Sequence, residues 1–101
     1  MARQLKITVL KKDLYRDLAD EYAADKSITA CTLFEEGQVF ILDKPDKPDG
    51  FCSWAWADLH RDVIAVLFGA NYRWIDFENT IISCCTDGLR PVTFKIEGIG
   101  E

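Results

Sequence analysis

Gly50-Phe51-Cys52-Ser53-Trp54-Ala55-Trp56-Ala57-Asp58-Leu59-His60-Arg61-Asp62-Val63-Ile64-Ala65-Val66-Leu67-Phe68-Gly69 is the most apolar long segment of the chain, and its period decides the fold. Steps of about 100° per residue place Ala55, Trp56, Leu59, Val63, Ile64, Val66 and Leu67 on one broad arc. Asp58, Arg61 and Asp62 lie opposite, His60 falls inside the arc, and Trp54 falls on the polar side. An indole on that side needs a loop or a partner to cover it. Asp49 or Ser53 can cap the start of this helix, and Gly69 suits the position after its end. A helix with one apolar arc must bury it against another layer, so the flanking segments are read for strands.

Upstream, Leu5 to Leu10 alternates Leu5, Ile7 and Val9 with Lys6 and Thr8, the period of a half-buried strand. Asp13 offers a cap for a helix from about Leu14 to Ala24, with Leu14, Leu18 and Tyr22 as its buried stripe. Asp25 to Phe34 is a connector. Gln38 to Leu42 follows Gly37 as a strand, and its unbroken run Val39-Phe40-Ile41-Leu42 predicts an interior position with both faces covered. Asp43-Lys44-Pro45-Asp46-Lys47-Pro48-Asp49-Gly50 is a loop, because its prolines cannot donate to a ladder.

Downstream, Ala70 to Asn79 carries Tyr72, Trp74 and Phe77 without a steady period and reads as a packed loop. Thr80 to Thr86 is a strand, Asp87-Gly88-Leu89-Arg90-Pro91 its turn, and Val92 to Ile99 the returning strand. There Val92, Phe94 and Ile96 face inward and Thr93, Lys95 and Glu97 outward. The element order is β-α-β-α-β-β, a single α+β domain over residues 1–101. It predicts a two-layer sandwich: an antiparallel or mixed sheet of about four strands carrying two helices. A ferredoxin-like βαββαβ order does not fit.

With 49% apolar and 29% charged residues, the chain is globular in composition. No apolar run reaches the roughly 20 residues that span a bilayer, and the N-terminus does not resemble a signal-peptide core. A cytoplasmic protein is the simplest expectation. Its net charge of −5, with 12 basic side chains scattered among 17 acidic ones, argues against nucleic acid and anionic membranes as partners. Cys31, Cys52, Cys84 and Cys85 are expected as free thiols, since no export signal points to an oxidising compartment.

Neighbouring side chains on a strand point to opposite faces, so only one of Cys84 and Cys85 can face the helix. Zinc and iron–sulfur sites use three or four convergent ligands, often in Cys-x-x-Cys pairs, and this chain has no such pair. The plainer reading of these cysteines is as small buried hydrophobes, and no metal is expected. Cys52, near a helix N-terminus, is a candidate nucleophile or redox thiol, against a plain packing role under the Asp-Lys-Pro loop. His60 lies about 12 Å further along the axis and cannot serve it as a base. Trp54 is the better of the two helix tryptophans for a partner surface. Arg90 either pairs with Asp87 or presents a fork to a carboxylate or phosphate.

Three stretches carry a resemblance: Phe34-Glu35-Glu36-Gly37-Gln38-Val39-Phe40, Gly50-Phe51-Cys52-Ser53-Trp54-Ala55-Trp56, and Cys84-Cys85-Thr86-Asp87-Gly88-Leu89-Arg90-Pro91-Val92. In them the chain resembles a family of short uncharacterised bacterial and archaeal proteins of about this length. The resemblance implies that Cys52, Trp54, Trp56, Cys84, Cys85, Asp87, Gly88, Arg90 and Pro91 belong to the family's pattern, and it implies no catalytic mechanism.

The sequence thus points to a domain that binds a small molecule or a protein partner, as a homo-oligomer. The expected site joins Cys52 and Trp54 of the helix start to Cys84, Cys85, Asp87 and Arg90. No cofactor follows from it. The rival readings are a thiol enzyme or redox protein using Cys52, and a thiolate metal-binding protein.

Overall fold

The structure is a computed structural model that describes residues 4–100. It is an α+β fold with elements β1 (Gln4–Lys12), α1 (Arg16–Tyr22), β2 (Val39–Leu42), α2 (Ser53–Leu67), β3 (Thr80–Cys84) and β4 (Val92–Ile99). The four strands form one sheet in the order β2-β1-β4-β3, every pair antiparallel.

The period-two strands behave as their alternation requires. Leu5, Ile7 and Val9 of β1 and Val92, Phe94 and Ile96 of β4 are fully buried on one face of the sheet. Helix α2 lies across that face, over β3, β4 and β1, and inserts Ala55, Leu59, Val63 and Val66. Burying each large apolar side chain contributes about 1.5–3 kcal/mol. Beyond the reach of α2 toward β2, aromatic rings fill the layer. Phe34 stands edge-on to Phe51, Phe94 and Phe40, with centroids 5.0, 5.2 and 6.2 Å away.

Helix α2 ends as its sequence predicts, with Gly69 at a positive φ of 90°. Asn79, at φ 49°, seals that end: its side-chain amide donates to the carbonyls of Val66 and Ala70. Unpaired carbonyls at a helix end need such donors. Asp62 departs from the polar side assigned to it. It is buried, and Tyr72 from the loop after α2 donates its hydroxyl to Asp62 Oδ1 at 3.0 Å. Burial and this carboxylate push the Tyr72 phenol up to about 12. A loop returning over the helix thus turned a solvated position into an interior one.

Two further expectations are corrected. β2 is an edge strand, with Val39 44% and Ile41 49% exposed and only Leu42 buried. An apolar run marks a strand, but it does not tell whether the second face is covered by this chain. Helix α1 is shorter than expected, and its buried positions are Ala19 and Ala23 while Leu18 and Tyr22 are exposed. Its backbone lies away from every other element, so no apolar layer receives the large side chains. Arg16 instead ties α1 to the connector by donating to the carbonyls of Lys26 and Ile28.

Candidate functional site

The start of α2, the β3–β4 turn and the connector before β2 meet around a cleft of about 450 Å³, its open mouth included. Each wall has a local cause. Cys52 is the N-cap residue of α2: its backbone is extended, its carbonyl accepts the Trp56 N–H at 2.9 Å, and its side chain makes no capping bond. The half-buried thiol therefore stays available to the cleft beside Trp54 and Ala55.

The β3–β4 turn is held by one carboxylate. Asp87 Oδ1 accepts the N–H groups of Leu89 and Arg90 at 2.9 and 3.0 Å, and its Oδ2 accepts Arg90 Nε at 3.1 Å. Burial raises the Asp87 pKa, but the two backbone donors and the Arg90 charge outweigh it and hold the carboxyl below its ordinary value. Because Nε carries the contact to Asp87, the two Nη groups of Arg90 have no hydrogen-bond partner among the described residues. Among the described residues, Arg90 is the one cationic side chain lining the cleft and Asp87 the one anionic side chain.

The adjacent cysteines separate as strand geometry requires. Cys85 is buried among the core residues, and its sulfur accepts the Val92 N–H at 3.3 Å. Cys84 pairs with Thr93 and is exposed on the other face, away from the cleft lining. Of the six expected site residues, Cys52, Trp54, Cys85, Asp87 and Arg90 thus line one cleft, and Cys84 does not.

Sequence reading missed the third wall. Cys31, Thr32, Leu33 and Phe34 of the connector complete the cleft, so three sulfurs line it. Cys31 Sγ accepts the Leu33 N–H at 3.4 Å. A connector without a period gives no signal of where it folds. Also missed was the clamp that fixes Trp54. Its indole donates to Thr86 Oγ1 at 2.8 Å, and Asp58 Oδ2 accepts the Thr86 N–H at 2.7 Å and its hydroxyl at 3.0 Å. Trp54 and Asp58 stand one helical turn apart, and that i, i+4 spacing was the available clue. This turn engages the Trp54 N–H but does not cover the indole, which stays 55% exposed.

His60 stays outside the cleft. Its Nε2 lies 3.1 Å from the Pro45 carbonyl and its ring 5.4 Å from that of Trp56, a satisfied, half-buried histidine. The described residues contain no group of three or more His, Cys, Asp or Glu side chains placed to hold a metal ion. The cleft is lined mainly by apolar and sulfur-bearing side chains, with the guanidinium of Arg90 beside the Asp87 carboxylate. Such a surface can hold an apolar body by its walls and an acidic group by Arg90. Scans against protein-family models, curated proteins and solved structures find no match, so the three-stretch resemblance stays an expectation and the site is read from its geometry.

Proposed function

We propose that this chain is a small-molecule-binding module whose cleft takes an apolar carboxylate, the acid meeting Arg90 and the apolar body lying against Leu33, Phe34, Ala55 and Val92. The observation that carries the reading is the way Arg90 is held. Asp87 fixes the guanidinium through Nε, while its Nη donors have no partner among the described residues. A carboxylate accepts from two parallel N–H groups, and a charge-assisted bond of this kind is worth about 1.5–3 kcal/mol.

Titration with benzoate and hexanoate, each against the alcohol of the same skeleton, tests this. The acid is expected to bind more tightly than the alcohol, and Arg90→Ala to weaken the acid at least about tenfold while the fold, followed by circular dichroism, persists. Equal binding of acid and alcohol sinks the reading. So does an Arg90→Ala chain that binds as the parent does, or one that unfolds like a core deletion.

One observation favours a second reading, thiol chemistry at Cys52: Cys31 and Cys85 line the same cleft. It requires Cys52 to be alkylated in the native protein ahead of the other thiols. Labelling only after denaturation ends it. The four unpaired cysteines support a reducing, cytoplasmic setting. No helix among the described residues is long and apolar enough to cross a membrane. The exposed apolar edge of the sheet supports a homo-oligomer.

A further inference from the structure

Two turns further along α2, a second cleft of about 600 Å³, its open mouth included, lies between the helix, the loop after it and β3. It shares no lining residue with the Arg90 cleft. Asp62 is its unusual wall. The side chain is only 9% exposed, and Tyr72 takes just one of its oxygens, Oδ1. Oδ2 has no hydrogen-bond donor among the described residues, since Arg61 Nη2 stands 3.9 Å away, beyond hydrogen-bonding reach. A carboxylate oxygen taken from water without a donor is costly, and the cleft is where a donor can reach it.

Trp74 is exposed yet fixed. Its indole is 71% exposed, and it sits in a turn closed by the Ile75 N–H on the Tyr72 carbonyl at 3.0 Å. Ile75 packs against the core, and the Tyr72 ring stands edge-on to the indole with centroids 5.4 Å apart. Tyr72 is itself anchored through its hydroxyl on Asp62. An indole ordered without being buried contributes little to folding, but it offers a preset platform to an apolar ring face. β3 adds backbone groups. The Gly98 N–H donates to the Asn79 carbonyl and the Cys85 N–H to that of Val92. Alternation along the ladder then turns Ile81 and Ser83 toward β4, and the Ile82 N–H and carbonyl outward at the cleft.

We propose that this cleft binds a neutral sugar, the C–H face of a pyranose ring on Trp74 and its hydroxyls at Asp62, Arg61 and the Ile82 peptide. The charges select this class. Arg61 and Asp62 are the one cationic and the one anionic side chain lining the cleft among the described residues, so the pair favours neither an acid nor an ammonium. The two stand too far apart to hydrogen-bond each other, and neighbouring hydroxyls can bridge them, one donating to Asp62 Oδ2 and the next accepting from Arg61. A purely apolar ligand would leave Oδ2 without a donor. This inference is independent of the carboxylate reading of the Arg90 cleft.

Titration of the full chain with the methyl pyranosides of glucose, galactose and mannose, followed by amide and indole NMR, tests this. At least one is expected to shift the Trp74 indole and the Ile82 amide saturably. Followed at the Ile82 amide, Trp74→Ala is expected to weaken that sugar at least about tenfold. Asp62→Asn is expected to do the same, because it keeps an acceptor for Tyr72 but replaces Oδ2 with an amide donor. Should circular dichroism show that Asp62→Asn does not fold, Trp74→Ala decides, since that exposed ring supports no core. Cyclohexanol, a ring with a single hydroxyl, is expected to bind at least about tenfold more weakly than the sugar. The proposal is overturned if none of the three sugars shifts the Trp74 indole, or if binding survives Trp74→Ala. Choline bound more tightly than every sugar overturns the ligand class, since the indole and carboxylate would then serve an ammonium.

Discussion

Asp87 does two jobs with one carboxylate, closing the β3–β4 turn through Oδ1 and setting the Arg90 fork through Oδ2. Its folded-state pKa is depressed, so its ionised form is favoured by folding. The stabilisation is fully present above the unfolded value near 3.9 and is lost as pH falls through the lower folded value. Asp87→Asn keeps an acceptor for the turn but loses the charge beside Arg90. It is expected to lower stability at neutral pH by about 0.5–1 kcal/mol, a modest figure because the Arg90 side chain is partly solvated. Thermal melts of the two chains, compared from neutral pH to below about 4, should show the gap narrowing with acid. A gap that widens with acid contradicts the assignment. From sequence, Arg90 had two alternative readings, pairing with Asp87 or presenting a fork, and the structure shows the pairing. That Nε makes it is a matter of approach geometry, and no spacing rule states it.

At the scale of elements, the helix start and the turn are joined by Thr86, which receives from Trp54 and gives to Asp58. Thr86→Val keeps the shape and removes that hydroxyl, leaving the Trp54 N–H without its partner. The expected cost is about 1 kcal/mol, or a fall in Tm of about 4–8 °C for a domain of this size. Binding of benzoate should weaken as well, because Trp54 borders the cleft. An unchanged Tm would show that water replaces the hydroxyl at no cost. The elements also show where a pattern is sufficient. β4 runs over the span its alternation predicts, and α2 stops at its glycine, because both signals are local to the segment. The α1 stripe and the β2 interior position failed for one common reason. Each was inferred from the apolar content of a single segment, whereas burial depends on what another segment brings to it.

Across the whole molecule, Phe34 is the residue on which the layers converge. It belongs to no helix or strand, yet it is buried and touches aromatic rings from β2, β4 and the entry to α2. Phe34→Ala is expected to cost about 3–5 kcal/mol, a large share of the 5–15 kcal/mol that holds a domain folded. Phe77→Ala, at a ring that is 71% exposed, is expected to change stability by less than about 0.5 kcal/mol. Urea denaturation of both variants checks the contrast, and equal losses would contradict it. Phe34 also forms part of the cleft wall, so a weakened core should loosen the candidate site with it.

The sequence by itself determined the α+β class, the order of the elements and the inward faces of β1 and β4, whereas on α2 it placed Ile64, which is exposed, on the buried arc. What it determined follows from period, capping and turn chemistry, which act over a few residues and leave a mark in the local pattern. Tertiary structure alone decided that β2 is an edge, that Asp62 is interior, that α1 buries alanines, and that Cys31 joins Cys52 and Cys85 around the cleft. Those depend on contacts between segments far apart in the chain, where the free energy of burial is shared by both sides and neither side's sequence records it.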